Sequence, residues 1–325
     1  RIMQWKFYLW MMSTRKEAYQ VFTESVSDLS VFAQPWFLDA VTQGQWDVIV
    51  VERGGQSAAV LPFWVKPYGP WKVVAMPPLC KFMGPLFAEP FRSVSAVYKL
   101  SNQLIAALPK VAVFRQNFHY SYDNWLPFYW AGFRQTTRYS YVLDSIADLD
   151  GILAGFSTDY RNAKIARADS QMELAFDLPV TALDGLLTAT YARQGLKSGV
   201  SVDLMTRILD AARAQNAGRM MFALDRQGHV HAGLMMLRDR HSASLLLAAD
   251  NPDLRQSGAG IWLIWQAIRY ASLEWKVERF DFLGSVKQSI ERSRRQFGAR
   301  PVPYFAVERF QSRTAFLIEW ARGRR

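Results

Sequence analysis

Apolar and polar positions change period several times along the chain, and each change marks an element. Short apolar or alternating runs, many bounded by turn residues, predict strands at 46–51, 57–65, 71–76, 111–119, 139–143, 173–177, 220–224, 230–237, 279–283 and 303–310. A continuous apolar run at 245–249 predicts a strand buried on both faces. Helical spacing predicts helices at 93–108, 125–132, 182–194, 202–215, 261–271 and 286–297, with helical segments across 14–38 and 150–168. The aromatic stretch 2–12 contains Lys6 and lacks a small-residue cleavage site, so it is read as an edge strand rather than a signal peptide. Residues 77–90, rich in Pro, Gly and aromatics, are read as a loop.

Two hairpins resemble each other. Glu52-Arg53-Gly54-Gly55-Gln56-Ser57-Ala58-Ala59-Val60-Leu61 aligns without gaps to Asp225-Arg226-Gln227-Gly228-His229-Val230-His231-Ala232-Gly233-Leu234, with Arg, Gly, Ala and Leu identical and the acid retained. Acidic-basic-x-Gly turns are common, but here the same order of elements follows each hairpin. The expected fold is α/β, with mixed sheets and flanking helices duplicated in two domains, 1–148 and 149–325.

The duplication breaks at one junction. After the strand 245–249 come Asp250-Asn251-Pro252 and then Arg255-Gln256-Ser257-Gly258-Ala259-Gly260, with a helix beginning at Ile261. Glycines there let backbone approach a ligand closely, and the first helical turn leaves N–H groups unpaired, so a diphosphate is the natural guest. A plain glycine helix cap is the bland alternative. The first half carries only Lys81-Phe82-Met83-Gly84-Pro85 at its matching junction.

Composition narrows the class. In 325 residues, 50% hydrophobic content with 14% aromatics describes a packed chain with substantial cores, not a disordered one. The single cysteine, Cys80, excludes an internal disulfide framework, is expected to be buried and inert, and suits a reducing, cytoplasmic compartment. No apolar run reaches the ~18 residues needed to span a bilayer. The net charge is +11, and residues 287–325 hold ten Lys and Arg against three Glu. Such a tail suits phosphates, RNA or an anionic membrane surface, or is a solvated basic face.

Strand, R-Q-S-G-A-G and helix together resemble the acyl-CoA pyrophosphate loop of the GNAT acyltransferase superfamily, and the wider chain is similar to its tandem, Fem-like branch. Four further stretches carry the likeness: Gln34-Pro35-Trp36-Phe37-Leu38-Asp39, Met76-Pro77-Pro78-Leu79, Tyr160-Arg161-Asn162-Ala163-Lys164, and Phe280-Asp281-Phe282-Leu283-Gly284-Ser285 running into Arg294-Arg295-Gln296-Phe297-Gly298-Ala299. The resemblance implies an acyltransferase that moves an acyl group from acyl-CoA, a co-substrate, to an amine by direct attack in a ternary complex, without metal. It implies a pyrophosphate held by Arg255, Gln256, Ser257, Gly258, Ala259, Gly260 and Ile261, a thioester near Leu247, and acceptor contacts from Arg161, Lys164 and Arg294. The acceptor would be a small molecule or a peptidoglycan-precursor or polysaccharide amine, with the first half left to bind it.

The base is less determined. The helix 286–297 has no tyrosine, where many relatives place one to protonate the leaving thiolate. It offers Ser285, Ser289, Glu291 and Arg294; Asp281, which alternates with Phe280 and Phe282, and Tyr304 on the next strand are the candidate proton carriers, with a structural pairing to Arg as the alternative for Asp281. Tyr122, clustered with His119, Tyr120 and Asp123 at a strand end, is a candidate acceptor-site wall. His229 and His231, two apart, are read as hairpin surface rather than metal ligands. Two readings of other kinds remain open: a Fem-type transferase using aminoacyl-tRNA, and a GNAT-derived binding module without catalysis.

Overall fold

The expected edge strand at 2–12 is instead the start of a long helix, α1 (Ile2–Ser25). No Gly or Pro interrupts residues 2–25, and the helix continues into a half that buries Tyr19, Phe22 and Thr23, so this context overrides the strand preference of the aromatics. The computed structural model describes residues 2–176, 178–284 and 287–321. Asp177 at the end of the expected 173–177 strand, Ser285 and Val286 before the expected 286–297 helix, and the last four residues of the basic tail lie outside the described residues.

The chain continues through α2 (Pro35–Thr42), β1 (Trp46–Arg53), β2 (Gln56–Tyr68), β3 (Trp71–Ala75), β4 (Leu86–Phe87), α3 (Val94–Ala106), β5 (Val113–Asn117), α4 (Leu126–Trp130) and β6 (Arg134–Leu143). Then follow α5 (Leu149–Ala154), a π-helix (Asp159–Ile165), α6 (Ala166–Asp169), β7 (Met172–Phe176), α7 (Val180–Ala192), α8 (Val202–Ala214), β8 (Gly218–Asp225), β9 (Val230–Arg238) and β10 (Ser242–Asp250). The last elements are α9 (Ala259–Leu273), β11 (Arg279–Asp281), α10 (Gln288–Gln296), β12 (Arg300–Phe310) and α11 (Arg313–Ala321). Contacts divide the chain into two compact units, Arg1–Arg138 with Pro303–Arg325, and Tyr139–Val302. A single cut at 148/149 assigns the last strand to the second domain; contacts assign most of β12, and all of α11, to the first unit.

In the first unit the sheet runs β1-β2-β3-β5-β12, with β4 on β2 inside the expected 77–90 loop. β3 and β5 are parallel and the other pairs antiparallel. Phe114, Phe118, Phe128 and Phe133 form the aromatic centre of its core. Arg115 on β5 ties the C-terminal elements in, pairing with Glu308 of β12 at 3.0 Å and donating from Nη1 to Glu319 of α11 at 2.9 Å, a carboxylate only 3% exposed.

In the second unit the order is β6-β11-β10-β9-β8-β7, with β10 and β11 parallel and the rest antiparallel. Residues 231–237 of β9 are all buried, so both faces of the sheet are covered there. Trp262, Leu263 and Ile268 of α9 share a core with Met221, Leu234 and Met236. The matched hairpin residues take matching places. Gly55 and Gly228 turn their hairpins at φ 77° and 84°, while Ala59, Leu61, Ala232 and Leu234 are buried in their own units.

Candidate functional site

β10 is paired asymmetrically. On one side it follows β9 along its length, with a register shift between Leu245 and Leu247 that makes Leu246 a bulged residue. On the other side it pairs with β11 only from Ser242 to Ser244, so two parallel strands separate midway. Beyond Ser244 that edge of β10 has no strand partner among the described residues; along it Leu246 and Ala249 are buried, Leu247 half-buried and Ala248 exposed.

The gap runs into the loop. Asn251 caps a 3-10 turn, Pro252–Ser257, by accepting the Asp253 N–H at 3.1 Å. Gly258 then takes φ +77°, and a Cβ there would come within 2.8 Å of the Lys164 carbonyl, so only glycine lets the loop lie on the π-helix. Arg167 donates to the Gln256 carbonyl at 3.0 Å, Ala259 donates to Ser257 Oγ at 3.3 Å, and Ile261 lies against the core behind. The half-exposed Arg255 guanidinium has Nε 3.7 Å from Asp250 Oδ2. Asp250 packs its carboxylate where a Cβ of Gly260 would stand. Burial raises the Asp250 carboxyl above its ordinary range, against the pull of Arg255 and Arg193.

A second group gathers where β11 ends. Asp281 is buried, and its Oδ1 accepts from Ser140 Oγ at 2.5 Å and from the Leu283 N–H at 2.8 Å. Arg294 on α10 sits 5.2 Å from the centroid of Phe282. Its Nε is buried without a hydrogen-bond acceptor, and burial pushes its pKa down to about 10 while Tyr160 and Asp281 oppose the shift. Arg161 is drawn to α5, donating to the Ala154 carbonyl at 2.9 Å, whereas Lys164 gives its backbone to the Gly258 contact. Both ride on the π-helix, a form frequent at functional sites.

The remaining candidates lie in the first unit. Tyr122 lies in that unit's core: its ring stacks on Phe87, its hydroxyl lies 3.1 Å from Ser101 Oγ, and burial pushes its pKa up to about 12. Tyr304 is buried with its ring edge-on to Phe82 at 5.0 Å. The junction equivalent to the loop is occupied by pairing: Met83 N–H donates to the Asn117 carbonyl at 2.7 Å, and Gly84, at φ +108°, has Phe118 where a Cβ would be. Its backbone is thus used by β5, which accounts for the absence of a glycine-loop signature in the first half.

One residue of the site was missed. His231, expected on the hairpin surface, is 8% exposed and places Nδ1 3.0 Å from Ser257 Oγ. The residue precedes Ala232 and Leu234 in a hydrophobic strand, and that apolar run was the available signal for burial. Among the described residues no group of three or more His, Cys, Asp or Glu is placed to hold a metal, and no helix is long and apolar enough to cross a membrane.

Residues 158–288, which contain the splayed strand and the loop, match the family model described as an acetyltransferase (GNAT) domain. No curated protein sequence matches the chain. Among solved structures, the chain is similar to the crystal structure of FemX, at 12% identity and a TM-score of 0.69 over 89% of this chain and 95% of that one. It is also similar to L-PGS from Bacillus licheniformis, at 12% identity and a TM-score of 0.54 over 95% and 97% of the two chains. A tandem GNAT protein from the clavulanic acid biosynthesis pathway matches at 12% identity and a TM-score of 0.50, over 81% and 82%. Residues 158–288 thus match a GNAT domain model, and the chain that carries them shares its fold with FemX and L-PGS.

Proposed function

We propose that this chain transfers an acyl group from acyl-CoA to an amine by direct attack in a ternary complex. The observation that carries the reading is the separation of β10 from β11 after Ser244, immediately before the glycine loop. A thioester laid along that edge meets backbone polar groups that no neighbouring strand uses, and fixed N–H donors there stabilise a developing oxyanion. At the loop, the Ala259 and Ile261 N–H groups are engaged by Ser257 Oγ and the Gly258 carbonyl, so a diphosphate would be drawn by the positive end of α9 and by the half-exposed Arg255 guanidinium.

Acyl-CoA supplies the activated thioester. The chain's own residues bind and orient. The stretch from Arg255 to Ile261 holds the diphosphate and Leu247 borders the acyl group. Arg294, a half-buried cation with an unpaired, buried Nε, attracts negative charge on the acceptor or in the transition state, with Asp281 fixing the field around it. Arg161 and Lys164 are assigned to the acceptor. The amine nitrogen forms the new amide bond, the C–S bond breaks, and the proton lost by the amine balances the departing thiolate. The cytoplasm, with a small-molecule or cell-wall-precursor amine as acceptor, remains part of this proposal.

Isothermal titration with CoA tests it. Wild type should bind, and Gly258→Glu, which drives a side chain into the Lys164 carbonyl, should not; failure of the wild type to bind overturns the reading.

A second reading rests on Asp250. Its carboxylate sits beside the first turn of α9, where a diphosphate oxygen would otherwise lie, and it would pair with the ammonium group of an aminoacyl donor. Under that reading charged tRNA binds in a filter assay with a steep salt dependence, and CoA does not bind.

A further inference from the structure

The first unit carries an exposed apolar surface for which acyl transfer has no task. α4 is anchored from within: Pro127 and Phe128 are buried, and the Phe128 ring lies 4.8 Å from that of Phe118 in the core. Leu126, Tyr129 and Trp130, at i, i+3 and i+4, share another face and are 39%, 57% and 62% exposed. Trp130 is the most exposed aromatic side chain among the described residues. α3 extends the surface. Val94, 73% exposed, lies one turn from Tyr98, whose ring centroid is 5.5 Å from that of Trp130. Asn124 fixes the two helices to each other, donating from Nδ2 to the Tyr98 hydroxyl at 3.0 Å and accepting the Leu126 N–H on Oδ1 at 3.2 Å.

The surroundings of this patch are basic. From Val94 to Leu143 the chain holds Lys99, Lys110, Arg115, Arg134 and Arg138 against a single acid, Asp123. Arg115 is spent on Glu308 and Glu319. Lys99, next to Tyr98 on α3, is exposed, and at the far end of α4 the Arg309 guanidinium donates to the Ala131 carbonyl at 3.2 Å. Neither Lys99 nor Arg309 makes an ion pair with a described residue. Scattered apolar side chains on a surface are ordinary, but a contiguous aromatic patch marks an interaction site. α4 has only five residues, about 7.5 Å of helix, far short of the roughly 800 Å² per partner that a stable protein interface takes. An isologous contact with a second copy would also set these cations against their own counterparts. Trp and Tyr, with an apolar body and a polar tip, settle at the boundary between lipid headgroups and tails, and cations beside them suit anionic headgroups.

We propose that the α3–α4 surface of the first unit docks the protein on an anionic lipid bilayer, with Leu126, Tyr129 and Trp130 entering the headgroup boundary and Lys99 and Arg309 facing lipid phosphates. The attachment is peripheral. No helix among the described residues is long and apolar enough to cross a membrane, and a wedge of three side chains with flanking cations gives reversible binding that salt weakens. It stands apart from the donor site: every residue it uses belongs to the first unit, and it holds whichever donor the second unit takes.

Sedimentation of the full chain with vesicles tests this, using phosphatidylcholine alone and phosphatidylcholine mixed equally with phosphatidylglycerol, at low and high NaCl. Wild type should bind the anionic vesicles, lose that binding as salt rises, and stay in solution with the neutral ones. Trp130→Ser and Tyr129→Ser should each weaken binding by about 10-fold, the scale of one aromatic side chain, and Lys99→Gln by about 5-fold. These side chains are exposed, so urea midpoints should barely move, and Val21→Ser, at an exposed position on α1, should bind as wild type does. With brominated lipid tails, tryptophan fluorescence should be quenched more in wild type than in Trp130→Phe. No binding to anionic vesicles, or equal binding to neutral ones, overturns the inference. Binding unchanged by Trp130→Ser and Tyr129→Ser together also overturns it, and assigns the attraction to the basic C-terminal stretch. A dimer that Trp130→Ser dissolves, with no vesicle binding, overturns it in favour of a second copy.

Discussion

The carboxylate of Asp250 lies against the backbone of Gly260, so that a Cβ has no room there and the first turn of α9 already faces a negative group. Anion and helix dipole attract, but the same seat is offered to a diphosphate. Asp250→Asn should therefore tighten CoA binding several-fold, by about 5-fold for one removed neighbouring charge, as read by calorimetry. Weaker binding by this variant would place the carboxylate among the ligand's partners instead.

The same carboxyl gives a pH signature. Its proton affinity is raised in the folded chain, so ionisation costs stability. The cost is absent below the unfolded value of about 3.9 and appears as pH rises through that value towards the folded one. Thermal melts should show Asp250→Asn more stable than wild type at neutral pH and equal to it in acid. A stabilisation that persists in acid would contradict the assignment.

Arg294 separates stability from activity. The half-buried Arg294 guanidinium, with its Nε buried and unpaired, costs desolvation that an apolar side chain does not. Arg294→Met should unfold at the same or higher urea concentration than wild type while transfer falls by about 100-fold, the scale of losing one transition-state donor. Full activity in Arg294→Met would remove Arg294 from the site.

Ser140 and Asp281 form a pair that should show in folding. Ser140→Ala takes a donor from a buried carboxylate, at a cost of about 1.5–3 kcal/mol for a hydrogen bond to a charged group. Urea denaturation measures it. An unchanged midpoint would mean that the Ser140 hydroxyl is not what holds Asp281 in the folded chain.

Tyr122→Phe should leave the acceptor KM unchanged and cost about 0.5–1.5 kcal/mol, because Ser101 loses a partner inside the first unit's core. A rise in KM without loss of stability would return Tyr122 to the acceptor site.

The second unit was the more legible in sequence. Its strand, loop and helix at 245–271 carry an apolar run, turn residues and helical spacing in succession, and each predicts one element. The splay and the bulge at Leu246 were not legible, because pairing is a property of two strands and the run reads the same with or without a partner on each side. His231 was missed for a related reason: its polarity suggested surface, whereas burial depended on Ser257 and Asp225 closing over it. The aromatic run 2–12 misled because strand propensity describes a half-buried pleated surface, and the chain here continues a helix instead. Nor does local pattern reveal that Arg115 will find Glu319.

That last contact bears on the order in which the molecule assembles during synthesis. Residues 139–302 are continuous in sequence and hold β7 to β11 whole, so most of the second unit's sheet can form as soon as it has emerged. The first unit cannot: its sheet waits for β12 and its Arg115 for α11, both made last. Until then β5 presents an open edge, a template for mispairing. The part of the chain made earliest is thus the part that finishes last, and a nascent chain stalled near residue 302 would carry a first unit still open at β5 and in need of protection.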